Sequence, residues 1–144
     1  MIILVDTREQ LPYWTAPDCA KATLLVGDYT TAHLFHKIHV ERKSPQDWYN
    51  TIVRNHARFR REVLRAQDNG IELVLVIESS RKDFINKKFP QGERRDIKPE
   101  TLDRICSTVS RRYQLKMIWC SGGRVQARKR VYKLLKQWEK NIKR

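Results

Sequence analysis

The run Ile71-Glu72-Leu73-Val74-Leu75-Val76-Ile77 constrains the fold of this chain more than any other segment. It holds no turn former, is rich in β-branched side chains, and is apolar on both of its alternating sets of positions, as expected of a strand covered on two faces. Such a strand needs neighbours on its edges and helices over its faces. Ile2 to Val5 predicts a short buried strand ending at Asp6, and Thr23 to Val26 a second, stopped by Gly27. Thr31 to Lys43 reads as extended, with Leu34, Ile38 and Val40 among polar residues. The short gaps between these three predict a β-meander. Leu115 to Trp119 is a further strand.

Helical segments alternate with the later strands. Ser44-Pro45-Gln46-Asp47 is a helix start, with Pro suited to a first helical position. Trp48, Tyr49, Ile52, Val53, Phe59, Val63 and Leu64 then recur at helical spacing up to Asn69-Gly70, which predicts one continuous helix. Ser79 to Lys98 reads as a polar, basic loop, and Pro99 to Arg112 and Arg124 to Lys143 as two more helices. Strands paired first by short turns, then alternating with helices, predict an α/β domain with a mixed β-sheet flanked by helices. A chain of 144 residues suits one domain spanning 1–144.

Charge narrows the partners. Thirty Lys and Arg stand against sixteen Asp and Glu, a net +14 that attracts polyanions, because each bound phosphate releases condensed counterions. Such a surplus also serves solubility, so it points to nucleic acid only if a site supports it. No apolar run approaches the ~20 residues that span a bilayer, and the N-terminal apolar run meets Asp6 too soon for a signal peptide. The expected location is intracellular: cytoplasm and nucleoid, or nucleus in a eukaryote, with no membrane partner. Cys19, Cys106 and Cys120 are widely spaced and read as thiols in a reducing compartment.

Asp28, Glu41 and Lys43 are the residues that carry chemistry. Side chains two apart on a strand share a face, so Glu41 and Lys43 are expected together and Arg42 opposite. Asp28 follows Gly27, where a turn can aim its carboxylate sideways. Two carboxylates from neighbouring strands are the hard oxygen ligands that Mg²⁺ or Mn²⁺ prefers. Lys43 beside them would orient a water or balance charge on a phosphodiester. Each piece alone is commonplace: Glu-Arg-Lys is a frequent surface tripeptide, Gly-Asp a frequent turn, and acids near a lysine often form a plain ion-pair network.

Gly27-Asp28 followed by Glu41-Arg42-Lys43-Ser44-Pro45-Gln46-Asp47 resembles the G-D…E-R-K-x-x-x-D signature of the XPF-type structure-specific nucleases, within the restriction-endonuclease-like or PD-(D/E)XK group. Val5-Asp6-Thr7-Arg8-Glu9 is similar to the first strand of that family, and Ile71 to Glu78 to its apolar strand ending in Ile-Glu. The resemblance implies a metal-dependent DNA endonuclease that leaves a 5′-phosphate. In it Asp28 and Glu41 are metal ligands, with the Arg42 backbone carbonyl a third, and Lys43 is the catalytic lysine. Asp6 and Asp47 border the site, Arg8 approaches a phosphate or braces the carboxylates, and Glu78 has the weakest claim. Family members commonly add a tandem helix-hairpin-helix domain that grips branched DNA. The sequence shows no hairpin motif, so a homodimer or a partner DNA-binding protein is expected to help target branched or junction DNA. The rival expectations are a non-catalytic DNA-binding subunit and a basic RNA-binding protein.

Phosphate contacts are expected from Arg54, Arg58, Arg60 and Arg61 on the helix after the site. A second basic stretch runs from Arg81 through Lys87, Lys88, Arg94 and Arg95, and a third occupies the closing helix from Arg124. The first is the best placed, and the last suits a general electrostatic surface. Tyr13 and Trp14 could stack on an unpaired base, but core packing is the commoner fate. Tyr29 and Trp48 are expected in the core. His33, His36 and His39 alternate faces and cannot converge on one ion.

Overall fold

The computed structural model describes residues 1–90 and 97–142. Arg94, Arg95, Lys143 and Arg144 lie outside the described residues. The described elements are β1 (Ile3–Asp6), β2 (Ala20–Ala22), β3 (Tyr29–Thr31), β4 (Ile38–Lys43), α1 (Pro45–Val53), α2 (His56–Asp68), β5 (Glu72–Ile77), α3 (Arg81–Ile85), α4 (Pro99–Tyr113), β6 (Lys116–Trp119) and α5 (Gly123–Ile142). Six strands form one mixed sheet in the order β2-β1-β3-β4-β5-β6. The β1, β3 and β4 strands run antiparallel in sequence, whereas β2 lies parallel on the outer side of β1 and β4, β5 and β6 run parallel. Among the described residues, no helix is long and apolar enough to cross a membrane.

The apolar run does become a strand buried on both sides. Leu73, Leu75 and Ile77 pack with Trp48, Phe59, Val63, Leu102 and Cys106, under α1, α2 and α4. Val76 packs on the other face with Val5, Tyr29, Val40, Val131 and Leu135, under α5. Each of these β5 side chains is at most 6% exposed. At ~25 cal/mol per Å² of apolar area, the two covered faces are the main stabilising contribution of the sheet.

Three expectations about local structure need correction. First, Thr23 to Val26 is a bend, and the strand falls earlier, at Ala20–Ala22. The backbone of Leu24 is satisfied by side chains instead of a ladder: its N–H donates to Asp6 Oδ1 at 2.9 Å, and its carbonyl accepts from the Arg8 guanidinium at 2.7 Å. The meander therefore contains β1, β3 and β4, and residues 32–37 form a turn within the segment read as extended. Second, the long helix after Ser44 is two helices. The β-branched run Thr51-Ile52-Val53 crowds the preceding turn, and Asn55 favours non-helical backbone. The N–H groups of Arg54 and Asn55 both turn back to the Asn50 carbonyl, at 2.8 and 3.0 Å. Third, Ser80-Arg81-Lys82-Asp83 caps a short helix within the supposed loop, Ser80 Oγ accepting from the Asp83 N–H at 3.1 Å. Its Phe84 is fully buried.

Gly27 is where the backbone needs a glycine. Its φ is +74°, and a Cβ there would stand 2.9 Å from the Val40 carbonyl oxygen and 3.3 Å from His39 Cβ. Left-handed backbone costs a substituted residue about 1–2 kcal/mol before any clash. Gly27→Ala is therefore expected to destabilise the fold by about 2 kcal/mol or more. Urea unfolding measures this, and an unchanged midpoint would contradict a left-handed Gly27 packed against Val40.

Candidate active site

The bend at Gly27 brings Asp28 between β1 and β4. The Asp28 N–H donates to the Val40 carbonyl at 2.7 Å, and the Asp28 carbonyl accepts from the Asp6 N–H at 2.8 Å. With its backbone held at both sides, the side chain reaches along β4, and Oδ2 accepts the Arg42 N–H at 2.7 Å. The carboxyl groups of Asp28 and Glu41 lie close enough for each to shift the other's proton affinity. Glu62 of α2 lines the same hollows as Glu41 and adds to the charge around it, and its Oε1 accepts the Gly27 N–H at 3.3 Å. Carboxyl groups from a bend, a strand and a helix thus stand near one another, with Glu41 between Asp28 and Glu62.

Strand alternation separates the rest as the sequence predicts. Lys43 lies on the Glu41 face and donates from Nζ to Thr51 Oγ1 at 3.3 Å. The Arg42 side chain leaves on the opposite face, 3.2 Å from Glu9 Oε2 and 3.0 Å from Glu78 Oε1. Tyr13 donates to Glu78 at 2.6 Å, stacks on Tyr29 and abuts Trp14 edge-on. Tyr13 and Trp14 are each 6% exposed, so they belong to the core, as do the fully buried Tyr29 and Trp48. His39 sits between the Val26 and Phe35 carbonyls at 2.8 and 2.7 Å, a structural position.

Two hollows open onto the carboxyl cluster. One, about 330 Å³, is lined by Glu41, Lys43, Asp47, Asn50, Thr51, Asn55, Arg58, Phe59 and Glu62. The other, about 440 Å³, is lined by Asp6, Arg8, Gly27, Asp28, Glu41, Arg58, Arg61, Glu62 and Arg65, with Leu25 and Val26. Glu41, Arg58 and Glu62 line both, so the hollows form one trench with Glu41 at its centre. Arg58 and Arg61 therefore lie where phosphate contacts were expected. Arg54, at the end of α1, lines neither hollow. Arg8 braces the acids: it is bound to Asp6 at 3.0 Å while remaining 64% exposed. Glu78 is turned to Arg42 on the far face. In the second basic stretch, Arg81 is committed to Asp103 at 2.7 Å.

Glu62 and Arg65 are trench residues that the sequence pattern does not single out. Glu62 had a signal: it is the one acid in a basic run from Arg58 to Arg65, four residues after Arg58 and so on the same face of α2. Nothing local linked it to Gly27, because that contact spans 35 positions.

The electrostatics follow from crowding acids under cover. Burial, and then the charge of Glu9, push the Asp28 carboxyl up to about 7, against the pull of the Arg42 N–H and the Glu41 hydrogen bond. Burial, Asp28 and Glu62 push Glu41 well above the usual carboxylate range, and Lys43 opposes this. Protons are therefore held where a cation would relieve the same repulsion. Among the described residues, no group of three or more His, Cys, Asp or Glu is set to hold an ion by itself. The donors are two carboxylates, with Glu62 turned as a brace onto Glu41 and Gly27. That set fits Mg²⁺ or Mn²⁺, which commonly take one or two carboxylates and complete their shell with water and phosphate oxygens.

A mixed six-stranded sheet flanked by helices, with acids at a strand bend and a lysine two residues on, defines a restriction-endonuclease-like α/β fold. The chain belongs to the ERCC4 domain family, whose pattern matches residues 5–127. Its fold is similar to XPF from Aeropyrum pernix, with a TM-score of 0.71 and 15% identity over 99% of this chain and 67% of that one. It is also similar to XPF from Aeropyrum pernix in complex with DNA, with a TM-score of 0.65 and 15% identity over 96% and 65%. The chain thus spans about two thirds of the length of these chains. Among curated proteins nothing matches it.

Proposed function

We propose that this chain is a divalent-metal-dependent endodeoxyribonuclease, with residues 1–144 forming one nuclease domain. The observation that carries the reading is the joint placement of Asp28 and Glu41, side by side near Lys43, in a trench overlooked by Arg58 and Arg61. Asp28, Glu41 and the Arg42 carbonyl would hold Mg²⁺ or Mn²⁺. The bound ion supplies Lewis acidity and a water made more acidic. Lys43, steadied by Thr51, faces the scissile phosphate and offsets the charge gathering on its oxygens. Asp47 at the trench wall and Asp6 beside Asp28 orient water or ligand groups. Arg58 and Arg61 seat the phosphates of the duplex, while Arg8 completes the cluster through Asp6. Cleavage leaving a 5′-phosphate at branched or junction DNA is the expected outcome. The match to an XPF chain in complex with DNA supports the choice of DNA. Targeting by a homodimer or a DNA-binding partner is part of the same proposal.

A second reading, a non-catalytic DNA-binding subunit, is favoured by one observation: no three-donor group is set for an ion among the described residues. Metal binding separates the two. Because its carboxyl is raised to about 7, Asp28 contributes stability that is complete below the ordinary carboxylate range and is lost as pH rises through about 7. A cation would replace the lost protons. Millimolar Mg²⁺ or Mn²⁺ is therefore expected to raise the melting temperature by a few degrees at pH 8 and by much less at pH 5.5. Asp28→Ala should lose that response. A metal shift that is the same in Asp28→Ala, or absent at pH 8, would favour the non-catalytic subunit.

A further inference from the structure

The catalytic trench uses one face of the sheet and leaves the helix on the other face without a role. Glu41 points toward α1 and α2, while α5 packs through Ala127, Val131 and Leu135 against Val40 and Val76 on the opposite side. Every Lys and Arg from Arg124 to Lys140 is exposed, and the one acid of the helix, Glu139, is buried. Arg128 with Tyr132, and Lys129 with Lys133, stand four residues apart and so form one patch. Together with Met1, Ile3, Trp14 and Asp18 these four line a hollow of about 640 Å³. That is room enough for a small ligand. Tyr132 is 44% exposed, unusual for so large a ring, while Trp14 lies recessed at 6%. Lys129 and Lys133 also line a neighbouring hollow of about 390 Å³, which extends the cationic surface past Ser121.

We propose that this hollow binds an unpaired nucleotide of single-stranded DNA, its base against Tyr132 and its flanking phosphates on Arg128, Lys129 and Lys133. The shape selects the ligand. A duplex offers phosphate ridges and has no use for an aromatic wall inside a cavity, and a free phosphate would not use Tyr132. A lipid surface needs a broad apolar face that protrudes, whereas of the apolar side chains lining the hollow Trp14 and Ile3 are buried and only Met1 stands out beside Tyr132. A base on an aromatic face with cations along the backbone is the general mode of single-strand binding. Asp18 at the wall gives an acceptor for an N–H of a base, such as the ring N3–H of thymine, and disfavours an anion lodged within the hollow. A nuclease with this second surface would hold the unpaired strand of a junction on one side of the sheet and cut on the other. The inference rests on DNA as the ligand of the proposed function but not on catalysis.

Fluorescence anisotropy with a labelled oligo-dT in chelator tests it, beside a blunt duplex and vesicles containing phosphatidylserine. Tyr132→Ala is expected to weaken oligo-dT binding about tenfold and duplex binding little. Tyr132→Phe, which keeps the ring, should retain wild-type affinity and shows that the position tolerates change. Replacing Lys129 and Lys133 together by Ala should flatten the salt dependence. Equal oligo-dT affinity in Tyr132→Ala and wild type would overturn the proposal. So would parallel loss on duplex and single strand, or Tyr132-dependent binding to the vesicles instead. A chain that cuts no DNA yet binds oligo-dT through Tyr132 would refute the nuclease reading and leave this site standing. A chain that cuts while ignoring Tyr132 does the reverse.

Discussion

Glu41→Gln is expected to lower DNA cleavage by about a thousandfold or more while changing DNA affinity by no more than a few-fold. Glutamine has nearly the same shape, and its amide can donate to a neighbouring carboxylate. It supplies no negative charge, so a divalent ion would keep one carboxylate of two and be held more weakly and less well placed. The fold should tolerate the change, because Glu41 is already pushed well toward its neutral form by burial and by Asp28. Gln reproduces that form, and at pH 8 the variant should be at least as stable as wild type. Single-turnover cleavage, anisotropy and thermal unfolding separate these statements. Full cleavage in the variant would remove Glu41 from the site, and loss of folding would assign it a structural role instead.

Arg42→Ala carries the largest expected effect on stability, about 3–5 kcal/mol of destabilisation. The Arg42 side chain is 12% exposed and bridges Glu9 and Glu78, each 8% exposed. Removing it leaves two buried carboxylates without a counter-charge, held by neutral donors: the Tyr13 and Tyr29 hydroxyls and the Leu11 N–H. The same residue holds Asp28 through its backbone N–H, so disorder in β4 would reach the other face of the sheet. Urea unfolding gives the magnitude. A loss below about 1 kcal/mol would mean that the ion pairs are screened like surface pairs.

Much of the fold was legible from residues close in sequence. The apolar run at β5, the Ser44 cap with Pro45 and the later helices α4 and α5 were readable because strand alternation and helix starts are local properties. The opposition of Arg42 to Glu41 and Lys43 came from strand period alone. The Thr23 to Val26 segment misled because Asp6 and Arg8 take over its backbone hydrogen bonds from 18 and 16 positions away, which composition cannot reveal. The helix break at Asn55 was hidden by apolar residues that kept helical spacing across it. The proximity of Asp28, Glu41 and Lys43 in the candidate site was legible because their positions form a pattern along the chain. Glu62 reaches the same point from a different element and shares no pattern with them. Arg54 lines neither hollow, and helical spacing did not reveal that the helix breaks between it and Arg58.

The most direct measurement is a cleavage assay of purified wild-type and Glu41→Gln protein on labelled duplex, single strand, flap, fork and four-way junction. Each substrate is run with Mg²⁺, with Mn²⁺ and with chelator. A divalent-metal nuclease centred on Glu41 predicts metal-dependent cutting of the branched substrates, leaving 5′-phosphates, silent in chelator and in Glu41→Gln. Tight binding to those DNAs without cutting under any of the conditions would contradict it and make the chain a DNA-binding subunit.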